Sequence, residues 1–280
     1  MNFVKMHGAG NDFILINLLE GNSPLDYSLL APKLCDRNFG IGADGLLFIM
    51  PSETADIKMR IINSDGSEAE MCGNGIRCFA KFVYEEGIIN KNIIEVETLA
   101  GKIIPEIILN NNKVASVRVD MGEPKLERSQ IPMFGEEGRV IKEKLVIAEK
   151  EFEVTAVSMG NPHCVIFVPN IKEIEIEKWG PLIEKHPVFP RKTNVEFVQV
   201  ITPSEVVMRV WERGAGITLA CGTGACATLT AGVLNNYINR KASIKLLGGE
   251  LTVEWEENNH LYMTGPAIEV FRGVISIGSL

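Results

Sequence analysis

Apolar and polar positions alternate in two stretches of this chain and follow a helical period in two others. Residues 103–109 are apolar-rich, Asn110-Asn111-Asn112 is a turn signal, and residues 114–119 alternate apolar with polar, which predicts a hairpin. Residues 243–247, Gly248-Gly249, residues 251–255, Asn258-Asn259 and residues 261–263 predict an antiparallel meander. Ile76, Phe79, Ala80 and Val83 share one helical face that stops at Gly87. Residues 225–237 predict a second helix, whose small side chains suit it to close, buried packing. Each helix opens just after a Cys-Gly-x-Gly.

Sliding the chain against itself exposes a duplication. Cys72-Gly73-Asn74-Gly75 matches Cys221-Gly222-Thr223-Gly224 at an offset of 149 residues, and Gly10-Asn11 matches Gly160-Asn161 at 150. Asn63 and Glu212 each stand nine residues before their cysteine, and Met121-Gly122-Glu123-Pro124 resembles Met263-Thr264-Gly265-Pro266. One match is chance; four in order are two copies of one domain of about 140 residues. The charged, Gly-containing interval 123–150 is the expected crossover.

Composition narrows the class. A chain of 280 residues with 46% apolar residues is long and apolar enough for two packed cores. A net charge of -8 without any Lys/Arg block argues against nucleic acid. No run approaches 18 apolar residues and the first 13 residues include Lys5, His7 and Asp12, so no membrane span or signal peptide is expected and the protein reads as cytoplasmic. None of the six cysteines is paired as C-x-x-C, so each is judged by its own context.

A thiol at a helix start lies beside unpaired N–H groups and a partial positive charge, which draw its pKa from about 8.5 towards neutrality and attract a ligand carboxylate. Two such thiols on opposite faces of one carbon would supply a base and an acid, the arrangement that inverts a stereocentre. A lone cysteine is more often a small buried hydrophobe. The repeated glycines and upstream polar residue favour chemistry for Cys72 and Cys221, whereas Cys35, Cys78, Cys164 and Cys226 lack that context and are assigned to structure. His163, after Asn161-Pro162, is a candidate neighbour of a thiol, and Glu212-Arg213 leads into Cys221 through a Gly-rich turn. His7, His186 and His260 are read as structural or exposed. Asn11, Asn63, Asn161 and Asn194 are either turn residues or the neutral donors and acceptors an amino-acid substrate needs.

The segments 7–13, 63–67, 71–78, 160–163, 212–214 and 220–224 together resemble the diaminopimelate epimerase family. The resemblance extends over nearly the whole chain. It implies cofactor-independent interconversion of LL- and meso-2,6-diaminopimelate, a step towards lysine and peptidoglycan precursors. It also implies an α/β fold of α+β type, with two pseudo-symmetric domains, each a mostly antiparallel sheet around a central helix, and the active site in the cleft between them. The expected domains are 1–118 plus 266–280 and 119–265, and homodimerisation is expected with them. Carried over by position, Cys72 and Cys221 are the acid/base pair, tuned by His163 and Glu212. Substrate is held by Asn11, Asn63, Gly73, Asn74, Asn161, Asn194, Glu212, Arg213, Gly222 and Thr223. Neither metal nor cofactor is expected, and oxidation is expected to link Cys72 to Cys221. The chain departs from some relatives at Gly45, where they carry a substrate-binding glutamine. A proline or hydroxyproline racemase, a phenazine-type isomerase and, from another class, a thiol redox or metal-binding protein are the alternatives. The cysteine spacings suit the last poorly.

Overall fold

The protein is described here by a computed structural model covering residues 1–21 and 25–276. Contacts divide the chain into unit 1, Met1–Val119 with Thr264–Leu280, and unit 2, Asp120–Met263.

Unit 1 begins with strands Asn2–Gly8 (β1) and Asn11–Asn17 (β2), helix Tyr27–Leu34 (α1), and strands Gly45–Met50 (β3), Ile57–Asn63 (β4) and Glu68–Ala69 (β5). Helix Gly73–Glu85 (α2) follows, then Val96–Thr98 (β6), Gly101–Ile103 (β7) and the hairpin Glu106–Asn110 (β8) with Lys113–Asp120 (β9). The expected hairpin is present, but its first strand starts later than 103 because Pro105, which has no N–H to donate, divides β7 from β8.

Unit 2 contains Val140–Ile147 (β10), Lys150–Ser158 (β11), Pro162–Phe167 (β12), helix Ile176–Glu184 (α3), Asn194–Thr202 (β13), Glu205–Glu212 (β14), Gly216–Ile217 (β15), helix Gly222–Leu234 (α4), and the meander Lys241–Leu246 (β16), Gly249–Trp255 (β17) and Leu261–Gly265 (β18). The interval 123–150 is therefore more than a crossover. After the glycine turn Val140, Leu145 and Ile147 are buried, so the stretch forms edge strand β10.

The duplication is now visible as architecture. From β1 in unit 1 and from β11 in unit 2 the order is the same: strand, strand, helix, two strands, a short strand, the Cys-Gly-x-Gly helix, then further strands. Within each sheet only two neighbouring pairs are parallel among those given by register: β2 with β3 and β4 with β6, then β12 with β13 and β14 with β16. The last strand, Ile268–Val274 (β19), pairs antiparallel with β1, with Asn2 opposite Val274.

Each central helix packs on its own sheet: α2 on β1 to β4, and α4 on β11 to β14 and β16 to β17. Ile76, Phe79, Ala80 and Val83 are the buried face of α2, as the spacing predicts. It ends in a left-handed cap at Gly87, φ 68°, whose N–H donates to the Tyr84 carbonyl. α4 is buried almost throughout, so its small residues permit close approach of strands on every side. It ends at Leu234 rather than 237 because Asn236 takes φ 59° and Tyr237 N–H turns back to the Gly232 carbonyl.

One charged cluster ties the unit 1 strands together. Asp12 on β2 meets Lys5 at 2.6 Å and Arg37 at 2.8 Å. Burial pushes the Asp12 carboxyl up, but bonds from Arg37 and Lys5 outweigh it and hold the group at about 2. A carboxyl depressed in the folded state stabilises above its unfolded pKa of about 3.9 and loses that contribution as pH falls through the folded value. Asp12→Asn is expected to cost about 2 kcal/mol at neutral pH and to flatten the stability curve between about pH 4 and 2. Urea midpoints across that range check it; an acid limb as steep in the variant as in the parent would contradict it.

Candidate active site

The two cysteines are helix N-caps. Cys72 (φ −141°, ψ 119°) and Cys221 (φ −125°, ψ 110°) have extended backbone, and each sulfur accepts the N–H of the residue three along, Gly75 at 3.4 Å and Gly224 at 3.3 Å. Sulfur thus stands where a Ser or Asp oxygen normally caps a helix. The strand-to-helix turn leaves the N–H groups of the first helical turn without intrahelical partners, a place for an anionic group in either unit.

Around Cys72, in unit 1, the thiol donates to Asn11 Oδ1 at 3.5 Å, and Asn74 Nδ2 donates to the same oxygen at 3.2 Å. Asn11 Nδ2 donates to Asp44 Oδ2 at 2.7 Å. Beneath the helix start lies Arg77, fully buried, donating to the Gly73 carbonyl at 3.0 Å, to Asn74 Oδ1 at 2.9 Å and to the Pro266 carbonyl at 3.3 Å. Asn63, at the end of β4, donates to Ser67 Oγ at 3.0 Å. Gly45 lies opposite Asn63, and a β-carbon there would stand 2.8 Å from the Ile62 carbonyl oxygen. A larger residue would have to shift this backbone; in this chain the neighbouring Asp44 reaches Asn11 instead.

Around Cys221, in unit 2, the sulfur lies 3.5 Å from Thr223 Oγ1, which accepts from Asn161 Nδ2 at 3.4 Å. Asn161 Oδ1 is 2.9 Å from His163 Nε2, and His163 Nδ1 is 2.7 Å from Glu196 Oε1. Asn194, the first residue of β13, donates to the Pro162 carbonyl at 3.1 Å and accepts the Arg213 N–H at 2.9 Å. Glu212 closes β14 and accepts from Thr218 Oγ1. The Arg213 side chain donates to the Arg191 carbonyl at 3.0 Å, and Gly214 and Gly216, with φ 79° and 80°, make the turn that follows. Gly73, Asn74, Gly222 and Thr223 occupy the first two positions of their helices.

The expectation that a helix start draws the thiol towards neutrality fails for Cys221. Burial pushes this thiol well above its ordinary value, and the carboxylates of Glu212 and Glu196 add to the effect. The donors Thr223 and Gly224 oppose this and do not overcome it. Cys221 therefore holds its proton in the resting protein. Burial likewise raises Cys35 and Cys78 to about 12 and lifts Cys164, in keeping with structural roles. Among the other histidines, His7 and His186 each accept a nearby backbone N–H on Nδ1, and His260 pairs with Asp120 at 2.8 Å.

The sequence reading missed Glu196, Asp44 and Arg77. A lone acid inside the apolar run 195–198 was the available signal for Glu196. Among the described residues, no group of three or more His, Cys, Asp or Glu is arranged to hold a metal ion, and no helix is long and apolar enough to cross a membrane.

The comparisons with known proteins agree with this frame. The solved structure of a Bacillus anthracis phenazine biosynthesis protein of the PhzF family superposes with a TM-score of 0.71 at 16% identity, covering 98% of this chain and 99% of that one. A hydroxyproline epimerase from Agrobacterium vitis gives a TM-score of 0.68 at 14% identity, covering 98% and 91%. At such identities the likeness establishes the two-unit, duplicated α/β fold. At the level of sequence, the diaminopimelate epimerase of Heliobacterium modesticaldum is 59% identical over 283 residues, covering 99% of this chain and all of the relative. The sequence model described as "Diaminopimelate epimerase" matches residues 3–127 and 155–270, a span that takes in both capping cysteines, and so this chain belongs to the diaminopimelate epimerase family.

Proposed function

We infer that this protein epimerises 2,6-diaminopimelate, interconverting the LL and meso forms by moving a proton at one α-carbon. The observation that carries the reading is 59% identity across the whole length of a diaminopimelate epimerase, in a chain whose duplicated helices both begin at a thiol. Cys72 and Cys221 are the proposed acid and base. In the forward step one sulfur, as thiolate, takes the α-proton, and the C–H electron pair passes into the carboxylate-bearing carbon. The other thiol then delivers its proton to the opposite face, and the two cysteines finish with their protonation states exchanged. Because Cys221 holds its proton at rest, it is the proposed donor in the direction that uses Cys72 as base.

The developing negative charge at the substrate carboxylate is met by N–H groups at a helix start, fixed before the reaction begins. Asn11, Asn63, Asn161, Asn194, Glu212 and Arg213 are the proposed groups that hold the substrate's charged ends, with backbone donors at Gly73, Asn74, Gly222 and Thr223. His163 and Glu212 are proposed to tune the thiols. Asn194 contributes at least by locking β12 to the start of the Arg213 turn, since both ends of its amide are already used within unit 2. The protein is proposed to work in the cytoplasm as a homodimer, with a small molecule as its substrate and neither nucleic acid nor membrane as a partner.

Incubation with LL-diaminopimelate in D2O tests the substrate. Deuterium is expected at one α-carbon of the meso product, with no added cofactor. Exchange on proline or hydroxyproline, and none on diaminopimelate, would refute the assignment while leaving a two-thiol racemase.

A further inference from the structure

The duplication places corresponding residues beneath the two thiol-bearing helix starts, and there the halves differ. In unit 1 the pairing of β2 with β3 sets Phe13 opposite Gly45 and Leu15 opposite Leu47; in unit 2 β12 with β13 sets His163 opposite Asn194 and Val165 opposite Glu196. His163 thus stands at the place of Phe13, and Glu196 at the place of Leu47. A β-carbon on Gly75 would lie 3.4 Å from Leu47 Cδ2 and 3.5 Å from Phe13 Cζ, whereas one on Gly224 would lie 2.8 Å from Glu196 Oε1. Both pairs are buried, His163 and Glu196 completely.

Packing does not require a polar pair at this position, because the same frame closes over phenylalanine and leucine in the other half. Burying a carboxyl group is costly unless it is well bonded, and Glu196 Oε2 has no hydrogen-bond partner among the described residues. The one side-chain bond that Glu196 does make, to His163, begins a chain that leads to Cys221. Asn161 Nδ2 donates to Thr223, so its oxygen faces His163 and accepts a proton from Nε2. Thr223 Oγ1, which accepts from Asn161, lies in turn 3.5 Å from the Cys221 sulfur. At the far end Glu196 Oε1 holds Nδ1 and with it the ring. Cys72 is arranged differently, donating towards Asn11, whose amide ends on Asp44.

We propose that Glu196 is a positioning residue for Cys221: it anchors His163, which orients Asn161 and, through Thr223, the sulfur, so that the Cys221 half differs chemically from the Cys72 half. The proposal rests on Cys221 being a proton-transfer thiol. The charged and titratable groups set around that sulfur are Glu212 from β14, Glu196 from β13 and, behind Asn161, His163 from β12. Burial pushes the Glu196 carboxyl above its ordinary value while the His163 contact opposes that, and its ionised form adds to burial and Glu212 in keeping the proton on Cys221; without that form the thiolate forms at lower pH.

Iodoacetamide labelling of each cysteine, resolved by peptide mass spectrometry between about pH 6 and 10 without substrate, tests this. In Glu196→Gln the Cys221 profile is expected to move about one pH unit lower, making labelling near neutrality about tenfold faster, while Cys72 is unchanged. Glu196→Asp, which keeps the charge, is expected to follow the parent. An unmoved Cys221 profile in folded Glu196→Gln, or an equal shift at Cys72, would overturn the proposal. Should that variant not fold, the pair His163→Phe with Glu196→Leu copies the residues unit 1 already holds, and the same shift is expected. Nitrogen-15 spectra of the parent's histidine rings give a readout free of any variant: His163 is expected to be protonated at Nε2, and a bare Nε2 would refute the directed chain. Labelling uses no substrate, so a shift of Cys221 alone alongside absent epimerisation would count against the diaminopimelate reading and not against Glu196.

Discussion

Replacing either Cys72 or Cys221 by alanine is expected to abolish epimerisation, a loss of at least about a thousandfold, because inversion by two groups leaves no path when one is missing. The two variants should also differ in what survives. An enzyme with one thiolate still removes an α-proton from the face it meets and returns a solvent-derived one to the same face. On the LL substrate the α-proton points to one face, so only one of the two thiols meets it. Residual wash-in of deuterium into LL-diaminopimelate without inversion is therefore expected in one variant and not in the other. Proton NMR of recovered LL-diaminopimelate after incubation in D2O reads both quantities. Inversion at the parent's rate in either variant would end the two-thiol mechanism.

The second large effect is expected at Arg77. It is fully buried in α2, and its guanidinium serves the Gly73 carbonyl beside the Cys72 cap, Asn74 and the Pro266 carbonyl on the segment leading to β19. Arg77→Ala leaves a void and two carbonyls short of donors, a combination expected to cost about 3–5 kcal/mol. Arg77→Lys keeps a charge but not the fork that reaches several acceptors at once, and is expected to recover only part of the loss. Urea denaturation followed by circular dichroism measures both. A midpoint for Arg77→Ala within error of the parent would show that the buried network contributes little.

How much of this was legible beforehand depended on sequence distance. The face of α2 was plain because Ile76, Phe79, Ala80 and Val83 repeat within three turns, and the meander was plain because Gly248-Gly249 and Asn258-Asn259 punctuate it. The capping cysteines stood out because the chain states the same motif twice. Three things were hidden. His163 and Glu196 are 33 residues apart and meet only because β12 runs parallel to β13, a pairing no local period encodes. The proton affinity of Cys221 was misjudged because the helix-start effect is local, whereas burial and the charges of Glu196 and Glu212 follow from the assembled unit. Strand β10 was masked by charge, since an edge strand carries polar residues on its exposed side and reads like a linker.

The union of β19 with β1 has a consequence for synthesis. The amino group of Met1 donates to the Ile275 carbonyl at 2.8 Å, and the Ile275 N–H returns to the Met1 carbonyl, so the first and last described strands close one sheet. Unit 2 is one uninterrupted stretch of chain, whereas unit 1 cannot be completed until its final strand has left the ribosome. Of the two units, the one begun earlier is thus finished later, and a nascent chain stalled before residue 268 exposes β1 as an unpaired edge, with the hydrogen-bonding row that recruits another strand.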